Sequence, residues 1–269
     1  MICELENIAV YYETFGEGRP ILMLHGWSGD HRLIMGDMEP LFMHRDGWKR
    51  IYPDLPGMGQ TPGPDWITNG DHMLDVILAF IDKIFSGEHF AVAGISYGGY
   101  LARGVVYWRS SSIDGVMLNV PRHVYANRIL PPKRALVENA AILSELEATG
   151  FADMVVIQSR KMVEIIKSDL VPAVQMADHA FLSNLDPNLD FSYDVDKLPE
   201  PFAKPSLILT GRQDHVQGYQ TSWSILENYP RATFAVLDGA GHLLRGEQEE
   251  LFCALANEWL DRVEVSTSA

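Results

Sequence analysis

The sequence predicts an α/β protein built on a mostly parallel sheet, and three observations lead there. Pro20-Ile21-Leu22-Met23-Leu24 is an unbroken apolar run, as expected of a strand covered on both faces. Further short apolar runs at 90–92, 115–120, 206–210 and 233–237 alternate with stretches of helical periodicity. Several of these runs end in glycine-rich turns carrying polar side chains, and a parallel sheet gathers its chemistry at that end of its strands.

Taken in order, Ile8–Phe15 is rich in β-branched and aromatic residues and reaches a turn at Gly16-Glu17-Gly18, so strands are expected over the first 24 residues. A helix is expected near Asp37–His44 and a strand at Arg50–Tyr52. The loop Pro53–Pro64 is dense in glycine and proline but lacks the Lys-Ser/Thr ending of a phosphate loop, which rejects a nucleotide site. Met73, Val76, Ile77, Phe80, Ile81 and Ile84 mark an amphipathic helix. It leads into the Phe90 strand, after which Leu101, Gly104, Val105 and Trp108 recur at helical spacing. After the Gly115–Val120 strand the pattern changes. From about Arg122 to Pro205 no strand signal occurs, and helices are expected over Ala135–Glu147 and Asp153–Lys167. We read residues 122–204 as a helical insertion between two strands of one core, 1–121 with 205–269. Beyond it lie a helix around Tyr219–Leu226 and a final one carrying Phe252, Leu255, Trp259, Leu260 and Val263 on one face.

Composition bounds the partners. The 269 residues are 47 % hydrophobic and 21 % charged, an ordinary globular balance. A net charge of −15, spread along the chain, disfavours nucleic acid and anionic membrane surfaces. No apolar run approaches the roughly 20 residues that cross a bilayer. The start, Met1-Ile2-Cys3-Glu4, has neither a basic nor an apolar leader region. Cys3 and Cys253 are isolated; a disulfide between them stays open, but two thiols in so long a chain point to a reducing, cytoplasmic setting.

Four stretches carry chemistry. Gly94-Ile95-Ser96-Tyr97-Gly98 fits a strand–turn–helix elbow that lifts a serine clear of the sheet, with glycines where side chains would collide. His25-Gly26, directly after a central strand, lets the next backbone N–H point into a site; with the elbow, the N–H groups of Trp27 and Tyr97 would form an oxyanion hole. Gly211-Arg212-Gln213-Asp214 and Asp238-Gly239-Ala240-Gly241-His242 follow two further strands. A serine is too weakly acidic to attack unaided, so His242 would take its proton and Asp214 would hold the imidazole in the right tautomer. Singly, each has a plainer reading: an aspartate after a strand is more often a cap or turn former, and a histidine after Gly-Ala-Gly can be part of a loop. His215 sits too close in sequence to Asp214 to be the preferred base, and His123 and His179 are read as structural or surface residues. The order Ser96, Asp214, His242, each at a strand end, outweighs those readings together.

With these motifs, and with Asp54-Leu55-Pro56-Gly57-Met58-Gly59, the chain resembles the α/β-hydrolase superfamily over nearly its whole length. The resemblance implies an α/β-hydrolase fold: an eight-stranded, mostly parallel sheet, helices on both faces, and a helical cap after the sixth strand. It also implies an esterase-like serine hydrolase that needs no cofactor or metal and acts on a small-molecule ester. Homodimer formation is left open. The fold hosts many reactions. Ser96 argues against epoxide hydrolases and haloalkane dehalogenases, whose nucleophile is an aspartate. Carbon–carbon bond hydrolases usually carry tryptophan soon after the histidine, where this chain has Leu243-Leu244-Arg245. That reading and a cofactor-free perhydrolase rank below carboxylic ester hydrolysis. A non-catalytic ligand receptor on the same fold, which can keep an intact triad, is the alternative of another class. The apolar residues of the insertion, among them Met154, Met162 and Ile166, imply a covered apolar site that prefers small or medium neutral esters.

Overall fold

A β-strand that alternates sides cannot leave an all-apolar run half-exposed, and the central strands here are covered on both faces. A computed structural model describes residues 1–124, 126 and 128–267. The strands are β1 (Ile2–Glu4), β2 (Ala9–Phe15), β3 (Arg19–Leu24), β4 (Trp48–Pro53), β5 (Phe90–Ile95), β6 (Ile113–Asn119), β7 (Ser206–Gly211) and β8 (Ala232–Leu237). They form one eight-stranded sheet in the order β1-β2-β4-β3-β5-β6-β7-β8. The pairings β1/β2 and β2/β4 are antiparallel and all others parallel. In β3, Leu22 and Leu24 enter one core and Ile21 and Met23 the other, which is why the run is apolar throughout.

Helices close each face. Helices α1 (His31–Phe42) and, at the C-terminus, α10 (Glu249–Thr267) pack on the Ile21/Met23 side. Helices α2 (Gly70–Phe85) and α3 (Tyr97–Arg109) pack on the other. Helix α1 starts at His31, earlier than the periodicity predicts. Its N-cap is Asp30, whose carboxylate accepts the Arg32 N–H at 3.0 Å, while Gly36 and Pro40 inside it dilute the helical signal.

Between β6 and β7 lie α4 (Ala140–Thr149), α5 (Arg160–Ile165), a π turn (Ile166–Leu170), α6 (Val171–Gln175) and α7 (His179–Leu185). Helix α4 is capped by Asn139 and shifted past the expected start at Ala135. The helix expected over Asp153–Lys167 is corrected. A single 3₁₀ turn at Ala152–Met154 gives way to an extended stretch, where Val137 and Ile157 form a parallel bridge, and α5 starts afresh behind the Ser159 cap. The β-branched trio Val155-Val156-Ile157 favours extended backbone. Helix α8 (Tyr219–Ser224) packs beside β7, and α9 (Leu244–Glu247) lies against α5 and α10. Cys3 and Cys253 are both free thiols. Among the described residues no helix is long and apolar enough to cross a membrane.

Candidate active site

The site begins at the β5–α3 junction. Ser96 has φ 52° and ψ −115°, a region L residues seldom enter, and such strain persists only where its surroundings hold it. Those surroundings are backbone. A Cβ at Gly94 would lie 2.2 Å from the Gly98 carbonyl oxygen, and one at Gly98 would lie 2.0 Å from the Leu24 oxygen. Only glycine permits so tight an elbow.

Three sequence-predicted residues meet there. His242 Nε2 lies 3.0 Å from Ser96 Oγ, and His242 Nδ1 lies 3.0 Å from Asp214 Oδ2. A carboxylate can only accept, so Nδ1 carries the proton and Nε2 presents its lone pair to the serine hydroxyl. Asp214 is 1 % exposed, and burial alone would raise its pKa. The adjacent His242, with the Val216 and Gln217 N–H groups on Oδ1 at 2.8 and 3.0 Å, reverses that and holds the carboxyl below its ordinary value. His215 is half-buried, and burial lowers its pKa.

His25 is not a reacting group. It is fully buried, its Nε2 accepts the Leu55 N–H at 2.9 Å, and Nδ1 therefore donates to the Gly26 oxygen at 2.8 Å. Burial depresses its pKa, so it stays neutral and pins the turn behind β3. A Cβ on Gly26 would approach Ser96 Cβ to 3.5 Å, which sets that turn against the elbow. Trp27 follows, its ring edge-on to Tyr97 at 5.1 Å, and both residues line the same cavity as Ser96. Tyr97 opens α3, so its N–H belongs to the first turn, where no intrahelical acceptor exists.

Two supporting residues escaped the sequence reading. Gln213 joins the two loops that carry Asp214 and His242: its Nε2 donates to Asp238 at 2.8 Å and its Oε1 accepts the Ala240 N–H at 3.2 Å. Its place within the Gly211–Asp214 motif was the only available signal. Glu247 on α9 accepts the N–H groups of Gly241, Val156 and Ile157, tying the histidine loop to the inserted segment. Nothing local in the sequence marks it.

The cavity measures about 670 Å³. Leu33, Met154, Met162, Ile165, Leu170 and Val174 give it apolar walls, most of them from the inserted segment, while Asp37 and the Arg122–Asp190 ion pair add polar points. Asp37 accepts from Asn119 Nδ2 at 3.3 Å, and burial raises its pKa to about 7. Of the other inserted-segment histidines and apolar residues, His123 is buried with Nε2 2.8 Å from Ser222 Oγ, His179 is exposed, and Leu130, Leu136 and Met176 face solvent. Asp30, His31 and Asp54 group closely enough to suggest a metal, but Asp30 caps α1 and pairs with Arg32, and Asp54 accepts from His31 and Gln60. Those bonds account for the group as loop structure.

The chain is 19 % identical to a pimeloyl-[acyl-carrier protein] methyl ester esterase of Legionella pneumophila (strain Corby), over 93 % of this chain and 99 % of that one. Its structure resembles the crystal structure of an alpha/beta superfamily hydrolase from Oenococcus oeni PSU-1, with TM-score 0.86 and 29 % identity over 96 % of this chain and 97 % of the other. A thermophilic esterase from Thermogutta terrifontis superposes with TM-score 0.70 at 20 % identity, over 95 % and 94 % of the two chains. The family model for the alpha/beta hydrolases matches residues 21–255, most of the sheet together with the elbow and both acid–base loops. The chain belongs to the alpha/beta hydrolase family.

Proposed function

We propose that this protein is a serine hydrolase that cleaves carboxylic esters of small or medium neutral substrates through an acyl-enzyme. The observation that carries the reading is the unbroken contact from Ser96 Oγ through His242 to buried Asp214, opening into a largely apolar cavity. His242 takes the hydroxyl proton as Ser96 Oγ bonds to the acyl carbon. The oxyanion that forms is held by the N–H groups of Trp27 and Tyr97. As the bond to the alcohol oxygen breaks, His242 returns the proton to that oxygen and Ser96 stays acylated. Water then attacks the acyl carbon, gives its proton to His242, and the acid leaves as Ser96 is restored.

Residues 122–204 act in this reading as a cap that encloses the acyl group, with Met154 and Met162 as adaptable lining. Ester chemistry also fits the Legionella relative, which is named a methyl ester esterase. The two free thiols agree with a cytoplasmic setting. A serine-directed fluorophosphonate should label the protein and Ser96→Ala should abolish labelling, while the purified protein should turn over short-chain esters. Labelling that survives Ser96→Ala removes Ser96 from the role, and ligand binding without any turnover replaces the enzyme by a receptor.

A further inference from the structure

We propose that Glu247 is a positioning residue: it ties His242 to the inserted segment, so that the base faces Ser96 only while that segment is seated. The proposal rests on the serine-hydrolase reading and gives residues 122–204 a role beyond covering substrate. Glu247 stands on α9 with each carboxylate oxygen on a different part of the chain. Its Oε2 accepts the N–H of Gly241, the residue directly before His242, at 2.7 Å. Its Oε1 accepts the N–H groups of Val156 and Ile157, the latter at 3.1 Å, in the extended stretch ahead of α5. The packing around this link is equally close. A Cβ on Gly241 would lie 2.8 Å from Val156 Cγ2, and one on Gly239 would lie 3.3 Å from Ile157 Cδ1. On α9, a Cβ at Gly246 would lie 2.7 Å from Met162 Sδ. On the other flank of His242, Leu243 packs with the segment's own apolar cluster, which includes Leu146, Val155, Met162 and Ile166. His242 is therefore held on both sides by the inserted segment, while its ring spans Ser96 and Asp214, which follow β5 and β7.

Only a carboxylate closes this link. All three backbone groups that meet it are N–H donors, and an ionised carboxylate accepts on both oxygens. An amide in its place would set its own N–H groups against one partner, and a protonated carboxyl would set its O–H there. Burial raises the Glu247 pKa to about 7; the three N–H donors oppose that rise and the Asp214 charge adds to it. The link has two separable consequences. A role confined to anchoring the inserted segment would be felt in KM, because the apolar walls would loosen around substrate. A role in placing His242 is felt in kcat, since the imidazole moves the proton in both acylation and deacylation.

The test compares the parent with Glu247→Gln at pH ~8, where the parent carboxylate prevails. It reads kcat and KM for p-nitrophenyl butyrate beside the second-order rate at which a short-chain fluorophosphonate labels Ser96. Folding is checked by thermal melting, and Leu243→Ala, which frees the other flank of His242, takes the place of a glutamine variant that does not fold. Both kcat and the labelling rate should fall roughly ten- to hundredfold, the cost of misplacing a reacting group by up to an ångström, while KM stays within about threefold. A labelling rate within about threefold of the parent, or a loss confined to KM, overturns the inference and leaves the ester-hydrolase reading intact. A parent that labels at Ser96 but turns over no ester overturns that reading alone, and the ratio of labelling rates then decides the inference. A parent that neither labels nor turns over ester overturns both.

Discussion

Gly98→Ala tests whether the elbow and the turn behind β3 act as one device. A Cβ at Gly98 would sit 2.0 Å from the Leu24 carbonyl oxygen and 2.6 Å from that of His25. An ordinary contact of this kind needs about 3.4 Å between centres, so backbone must move by roughly an ångström. Neither neighbour is a flexible side-chain tip. Leu24 closes β3, paired to Gly94 of β5, and His25 is clamped between Gly26 and Leu55. The displacement therefore falls on the separation between the Trp27 and Tyr97 N–H groups. Overpacking should cost about 1–3 kcal/mol, a fall in Tm of roughly 2–6 °C for a chain of this size. Misplacement by an ångström, or loss of one oxyanion donor, costs on the order of 10²–10³ in kcat. KM should stay within a few-fold, since the apolar cavity walls are remote from the clash. The assay is steady-state hydrolysis of a short p-nitrophenyl ester beside a thermal melt. A soluble Gly98→Ala protein with kcat within threefold of the parent would falsify the coupling between β3, the elbow and the proposed oxyanion donors.

Three further outcomes can be measured in parallel. Asp214→Asn should keep its place between the Val216 and Gln217 N–H groups yet lose kcat by about 10⁴-fold, because the amide no longer selects the tautomer with its proton on Nδ1. Asp37→Asn should change the pH dependence of stability: with the folded carboxyl raised from 3.8 to about 7, the parent binds the proton more tightly when folded and loses stability as pH climbs between those values. The asparagine variant should thus gain on the parent above pH ~7, by no more than about 4 kcal/mol, and the gain should fade towards pH ~4; parallel Tm curves would refute the raised carboxyl pKa. Met162→Ala, at a fully buried cavity wall, should cost about 2–4 kcal/mol and lengthen the preferred acyl chain by one or two carbons, read from kcat/KM across an ester series.

The parts of this site that the sequence announces are those where local backbone demands and chemistry coincide. Ser96, Asp214 and His242 each follow a strand by one to five residues, and each sits among glycines that mark the turn, so their proposed roles can be read without knowing what lies across the sheet. The core strands are equally plain, because β3 and β5 to β7 are buried on both sides and are apolar through their middles, with Asp114, Asn119, Ser206 and Thr210 confined to or near strand ends. Helix boundaries are harder. The Asp30 cap lies in a turn whose function becomes clear only once Asp54 closes on His31, and the break at Val155–Ile157 depends on Glu247 reaching over from α9. Asp37, Arg122 and Glu247 are isolated charged residues in unremarkable surroundings. What distinguishes them is burial supplied by segments far along the chain, a property with no sequence period.

Charge acts on this molecule at two ranges, and the two select different properties of a substrate. At long range the net −15 repels polyanions before they reach the cavity, an effect that weakens as salt shortens the Debye length. At contact range the cavity is nearly balanced, since Arg122 is matched by Asp190, and the pH near which Asp37 ionises is set by its burial. Raising the salt concentration should therefore relax discrimination against anionic esters while leaving the chain-length preference set by the apolar walls unchanged. A chain-length preference that faded in step with the repulsion would belong to the field of the whole protein and not to the walls of the cavity.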